Sequence, residues 1–193
     1  SGYGDFVRGI EAAFAGAREG DISLFYINCH GECEGGIGYF ELHDGVRITP
    51  VALRELLGGV PGSMVVLLDF CNSGAFLGTD RWTAPLSDGK FLVLASARFD
   101  EKSYRMGNTR DTSEASMAAV FARAVAEAGG WDLMRDRSVN LRADANRAGS
   151  VTFAELYAYC LRRVPFYLEG TDGVQTPVSS SPGNGTVVFQ KLE

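Results

Sequence analysis

The residues best suited to chemistry stand at the ends of two apolar runs. One reads LLDFCNSGAF, residues 67–76, and carries Asp69, Cys71 and Ser73 at alternate positions. The other reads LFYINCHGE, residues 24–32, and delivers His30 and Gly31 just past its apolar part. A thiol is a strong nucleophile as thiolate, and a nearby imidazole supplies the base or a stabilising cation. The chain holds only two histidines, His30 and His43, so any histidine chemistry must use one of them. Acyl transfer also needs donors for an oxyanion. Gly31 lets the backbone come close to a substrate, and its N–H can serve beside that of Cys71. No third triad member is evident.

Asp69 has its own reading. Residues i and i+2 of a strand share a face, which puts Asp69 on the Cys71 side, beneath the nucleophile. A carboxylate at the bottom of a pocket selects a cationic side chain. Buried alone it would be costly, which is itself a reason to expect a partner.

The elements that must position these residues follow from the apolar pattern. ISLFYIN (22–28), MVVLLDF (64–70) and FLVLASA (91–97) are apolar almost throughout, as strands buried on both faces of a parallel sheet are. TVVFQKL (186–192) is a fourth candidate strand, nearer an edge. Helices are expected at 5–20 with Asp5 as N-cap, at 49–59 with Thr49 as cap and Pro50 following, at 113–130, and at 152–164 with a Thr152/Glu155 capping box ending before Pro165. The fold class is therefore α/β, a mostly parallel central sheet with helices on both faces. In such sheets ligands bind outside the carboxyl ends of the strands, where His30 and Cys71 fall. Long loops span 75–90 and 98–112, a length that is often functional.

Composition narrows the partners. The chain has 193 residues, a net charge of −6 and 46% hydrophobic residues, the balance of one ordinary globular domain. Nucleic acid is not an expected partner, since phosphate binding wants clustered Lys and Arg. No apolar run approaches the roughly 20 residues of a membrane span. Four cysteines at 29, 33, 71 and 160 are too few and too uneven for a disulfide scaffold.

With these blocks in view, LFYINCHGE followed by VVLLDFCNSG resembles the His-Gly and Asp-x-Cys-x-Ser-Gly blocks of caspase-fold cysteine peptidases, nearest the clostripain-like and metacaspase branches. GYFELHDGVRITPVALRELL, FLVLASARFDEKSYR and GSVTFAELYAYCLRRV with GVQTPVSS resemble later segments of the same proteins, so the likeness runs from about residue 5 to 190. It implies a caspase-haemoglobinase fold and a cysteine endopeptidase cleaving after Arg or Lys. His30 and Cys71 would form the dyad, and the Gly31 and Cys71 amides the oxyanion hole. Asp69 would sit in the P1 pocket, with Ser96 and Ala97 on a strand that offers its edge to substrate. Asp69 argues against the Asp-preferring caspases, whose pocket is built from arginines. Arg81, Lys102, Arg105 and Arg110 are candidate self-cleavage sites. The resemblance implies no required cofactor, leaves calcium open, and leans toward a bacterial protein, secreted or on the cell surface.

Two departures stand out. Cys29 replaces the usual glycine before the histidine. The family's first strand and helix are not in this chain, and the expected partners include, besides peptides with a basic P1 residue, the protein's own cleaved amino-terminal segment.

Other readings compete. Cys71 read alone is a buried structural cysteine. Cys29, His30, Cys33 and Cys71 could in principle ligate zinc, although adjacent ligands are awkward. An α/β-hydrolase elbow needs glycine where Asp69 stands. DANRAGSVTFAE (144–155) imitates a calcium loop but has Ala148 at a ligand position; a turn plus capping box explains the same letters. A catalytically silent caspase-like interaction domain is the rival from another class. His43 reads as a solvated turn residue and Cys160 as core.

Overall fold

A computed structural model describes residues 2–78, 86, 89–106 and 118–191. Helix α1 (Tyr3–Phe14) leads into strand β1 (Ile22–Asn28). A meander of β2 (Gly31–Glu34), β3 (Ile37–Glu41) and β4 (Arg47–Ile48) follows, then α2 (Pro50–Gly58) and β5 (Ser63–Asp69). After a 3-10 turn (Ser73–Leu77) come β6 (Phe91–Ala95), β7 (Arg105–Met106), β8 (Ala118–Ala119) and α3 (Val120–Ala128). The hairpin β9 (Trp131–Asp132) and β10 (Arg137–Ser138), β11 (Ser150–Thr152), α4 (Phe153–Tyr167), β12 (Val178–Ser179) and β13 (Val187–Gln190) complete the order.

The central sheet runs β1-β5-β6-β12. β1, β5 and β6 are parallel, and β12 is antiparallel to β6. The period of two explains why β5 is apolar throughout. Met64, Val66 and Leu68 face one layer with Ile10 of α1 and Leu53 and Leu57 of α2. Val65 and Leu67 face the other, with Val120, Phe121 and Ala124 of α3 and Leu156, Cys160 and Val164 of α4. A strand covered on both sides has no position for a polar residue until it ends. β5 ends on Asp69.

Local signals set most boundaries. Thr49 caps α2 by accepting the Ala52 N–H, and Pro50 fills the first helical position. Thr152 and Glu155 close the expected capping box on α4. Five expectations shift. Of the helix expected at 113–130, Ala118–Ala119 form β8 and α3 covers Val120–Ala128, while 113–117 lie outside the described residues. Gly2, not Asp5, is the N-cap of α1, and that helix stops at Phe14, before Gly16. α4 runs through Pro165 to Tyr167, because a proline this near the helix end removes only one backbone bond. Strand β6 ends at Ala95. β13 joins β11 in a separate two-stranded ribbon and not the central sheet.

Away from the sheet ends, α3 and α4 are joined by buried Glu127. Its carboxylate takes bonds from Tyr159 and Tyr167 and ion pairs with Arg123, Arg142 and Arg163. Burial acts against its charge, but the bonds from Tyr167, Arg123 and Tyr159 prevail and hold its carboxyl below the ordinary range.

Candidate active site

The parallel register sets Asn28 of β1 opposite Asp69 of β5, so both strands end at the same level. His30 and Cys71 each lie two residues further on. They line one cleft of about 440 Å³, together with Gly31, Glu32, Tyr39, Glu41, Asn72 and Lys102. The imidazole and the thiol share this cleft but form no hydrogen bond with each other among the described residues. A larger groove of about 1340 Å³, lined by Arg137, Arg142, Asp144, Arg147 and Lys191 among others, shares no residue with the cleft and is lined by no cysteine or histidine.

The turn after β5 is built to present Cys71. Asn72 has φ 61, a left-handed conformation that asparagine tolerates better than most residues. Its N–H donates to the Glu101 carbonyl at 2.8 Å and its side-chain amide to Phe99 O at 2.7 Å. Gly74 then passes so close to the 97–99 backbone that a Cβ would meet Ala97 O at 2.8 Å. Gly31 is equally confined: a Cβ there would lie 2.3 Å from the Phe70 ring and 2.8 Å from Cys71 O. That contact brings the backbone of residue 31 beside that of Cys71.

Asp69 is 0% exposed. Ser103 Oγ donates to its Oδ1 at 2.8 Å, and Tyr26 Oη donates to its Oδ2 at 2.9 Å. No cation pairs with it among the described residues. Burial pushes the Asp69 carboxyl above the usual carboxylate range, against the pull of those two hydroxyls. Burial, then the charge of Asp69, pushes the Tyr26 hydroxyl up.

Ser103 also meets the thiol. Its N–H donates to Cys71 Sγ at 3.4 Å, and Sγ lies 3.9 Å from its carbonyl oxygen. Gln175, 1% exposed, fixes this loop to the sheet. It donates to Ser96 O at 3.0 Å and Ser103 Oγ at 3.3 Å, and accepts the Tyr104 N–H at 2.9 Å. Glu101 ties in the same loop, accepting the Thr176 N–H at 2.6 Å and hydroxyl at 3.0 Å.

Residues 94–97 do not offer an open edge. Leu94 and Ala95 are paired with Ser179 and Val178 of β12. Ser96 O takes the Gln175 amide, the Ala97 N–H donates to Ser73 Oγ, and Ala97 O accepts from Gly74 N. Ser96 and Ala97 are both 0% exposed. Ser96 and Ala97 therefore do not pair with substrate as expected, because Leu68 and Gln175 hold the backbone of Ser96, and Ser73 and Gly74 that of Ala97.

Of the basic loop residues, Lys102 and Arg105 are exposed, and Arg81 and Arg110 lie outside the described residues. Cys29 is half-buried and packs toward the α1/α2 layer; burial, then the Asp69 charge, pushes its thiol up to about 12. It does not compete as a thiolate at neutral pH. Cys160 is buried in the core and His43 sits in an exposed turn.

Among the described residues no group of three or more His, Cys, Asp or Glu side chains is placed to hold a metal ion. In the 144–155 loop, Asp144 accepts the Ala148 and Gly149 N–H groups, and Glu155 accepts from Thr152. Turn and capping box account for each of these bonds. No helix among the described residues is long and apolar enough to cross a membrane.

Tyr26, Ser103 and Gln175 were not singled out from sequence. Tyr26 could have been, since it shares a strand face with Asn28 beside Asp69. Ser103 is 34 residues from Asp69 and Gln175 is 72 from Ser103, and no local spacing links them.

No family model matches this chain and no curated protein matches it. Among solved structures it is similar to the crystal structure of protein GSU0716 from Geobacter sulfurreducens. The TM-score is 0.55 at 14% identity, over 98% of this chain and 74% of that one. The likeness is one of fold alone.

Proposed function

We propose that the chain is a caspase-like cysteine endopeptidase that cleaves after Arg or Lys. The observation that carries the reading is the strand end itself: a buried carboxylate without a cation lies two residues before a half-exposed thiol, and that thiol shares a cleft with His30. His30 takes the Cys71 proton as sulfur attacks the scissile carbonyl. The Gly31 and Cys71 amides face the oxyanion. His30 returns the proton to the departing amine, leaving a thioester. Water then attacks the thioester, His30 again relaying the proton, and the acid product leaves with Cys71 restored. The substrate's guanidinium or ammonium supplies the charge that Asp69 lacks.

The partner this reading expects beyond substrate is the protein's own amino-terminal strand and helix. In its support, β1 is paired on one edge only among the described residues, and Ile22, Leu24 and Tyr26 point outward at 49%, 43% and 41% exposure. Calcium enters as a variable of the assay, not as a step.

A second reading is a resting or silent caspase-like domain. It is favoured by the Ser103 contact, which occupies both the thiol and the acid. An arginine chloromethylketone peptide decides between them. Cys71 alone of the four cysteines should be alkylated by the active enzyme. Peptide turnover retained by Cys71→Ala would remove the nucleophile assignment.

A further inference from the structure

Asp69 and Cys71 share one neighbour. Ser103 gives its hydroxyl to the Asp69 carboxylate and its backbone N–H to the Cys71 sulfur. The residues on either side are anchored, Glu101 by Thr176 and the Tyr104 N–H by Gln175. Between these anchors stand only Lys102 and Ser103. Tyr26, the other donor to Asp69, reaches it from the α3 side of β1, whereas Ser103 lies against the Cys71 sulfur. A cation entering from the Cys71 side meets Ser103 first. Asp69 is 0% exposed and Ser103 holds its Oδ1, so a cation that takes Oδ1 must displace that hydroxyl.

We propose that Ser103 is a positioning residue that keeps Cys71 idle until a cationic side chain reaches Asp69. The guanidinium takes the place of the Ser103 hydroxyl on Oδ1. Ser103 then turns away, and its N–H and carbonyl release the sulfur. Specificity and activation become one event: a neutral P1 residue leaves Ser103 on Asp69 and the thiol held. The Ser103 hydroxyl offers the carboxylate one bond and no charge, whereas a guanidinium offers a fork of two bonds and the opposite charge, so guanidinium displaces hydroxyl in a dry site. This inference rests on the peptidase reading for the identity of the cation, but its test does not need turnover.

The test is the rate of Cys71 alkylation by iodoacetamide, read by mass spectrometry, with and without methylguanidine as the probe. Wild-type alkylation should accelerate about five- to tenfold as methylguanidine saturates, the factor that freeing one ordinary hydrogen bond gives. Asp69→Asn should lose the response. Ser103→Ala should react at the faster rate without methylguanidine, and Ser103→Thr, which keeps the hydroxyl, should restore the response. A merely structural Ser103 would alter folding but not the effect of methylguanidine. Alkylation indifferent to methylguanidine in a protein that does hydrolyse arginyl peptides would overturn the coupling and leave the peptidase reading standing. Acceleration without any peptide turnover would support the coupling and remove the peptidase reading.

Discussion

Tyr26 on β1 donates a 2.9 Å hydrogen bond to Oδ2 of Asp69 at the end of the neighbouring strand. Parallel register makes this contact, since Asn28 stands opposite Asp69 and Tyr26 is two residues back on the same face. The bond joins an outward-facing side chain to the most deeply buried acid of the sheet. Tyr26→Phe leaves one carboxylate oxygen without a donor. We expect a loss of about 1–2 kcal/mol in urea unfolding at neutral pH. The loss should shrink at acid pH, where the protonated carboxyl no longer needs two donors. A pH-independent loss would mean that ring packing, not the hydroxyl, carries the effect.

Asp69 itself should trade stability for function. Its folded-state carboxyl holds its proton more tightly than in the unfolded chain, because burial outweighs the hydroxyl bonds. Folding therefore takes up a proton between the unfolded and the higher folded pKa. Stability conferred at low pH is lost as pH rises through that window. Asp69→Asn removes this loss and should stabilise the protein at pH 7 by on the order of 1–3 kcal/mol while abolishing preference for Arg and Lys. A variant that is less stable at pH 7 would contradict the cost assigned to the buried charge.

Gly31→Ala tests the close approach between the two strand ends. The added Cβ meets the Phe70 ring and Cys71 O well inside contact distance. Overpacking of this kind costs about 1–3 kcal/mol. Turnover should fall far more than this loss of stability accounts for, because the displaced backbone carries the nucleophile. Wild-type kinetics in a folded Gly31→Ala protein would detach Gly31 from the site.

The Glu127 network predicts an acid-labile helix pair. Its carboxyl is held below the ordinary range in the folded state, so its contribution is present above the unfolded pKa and lost as pH falls through the folded one. Glu127→Ala strands Arg123, Arg142 and Arg163, which are 27–38% exposed, and should cost about 2–3 kcal/mol at pH 7 after allowing for that solvent screening. Thermal unfolding across pH 3–7 checks this. The variant should show a flatter acid limb than the wild type.

How far the sequence led depended on the range of the interaction. β1, β5 and most of β6 were legible because two-sided burial writes an unbroken apolar run. α2 and the start of α4 were legible because caps are local. The β2–β4 meander was not read as strands, since its alternation is short and glycine-rich at 35–38. At the site, His30, Asp69 and Cys71 could be found from strand ends alone. What surrounds Asp69 could not. Ser103 reaches it, and Gln175 reaches Ser103, through loops whose course no periodicity records. The same long-range closure brought β12 onto Leu94 and Ala95 and Gln175 onto Ser96, so the edge expected to be open was already filled.

On the proposed reading, Cys71 cleaves bonds selected by Asp69. The most direct measurement is hydrolysis of fluorogenic peptides that differ only at P1, with Arg, Lys, Leu and Asp, by wild type, Cys71→Ala and Asp69→Ala, each with and without calcium. We expect turnover of the Arg and Lys peptides alone, none with Cys71→Ala, and loss of the basic preference with Asp69→Ala. Equal turnover of all four peptides, or an unchanged Arg and Lys preference in Asp69→Ala, would contradict it.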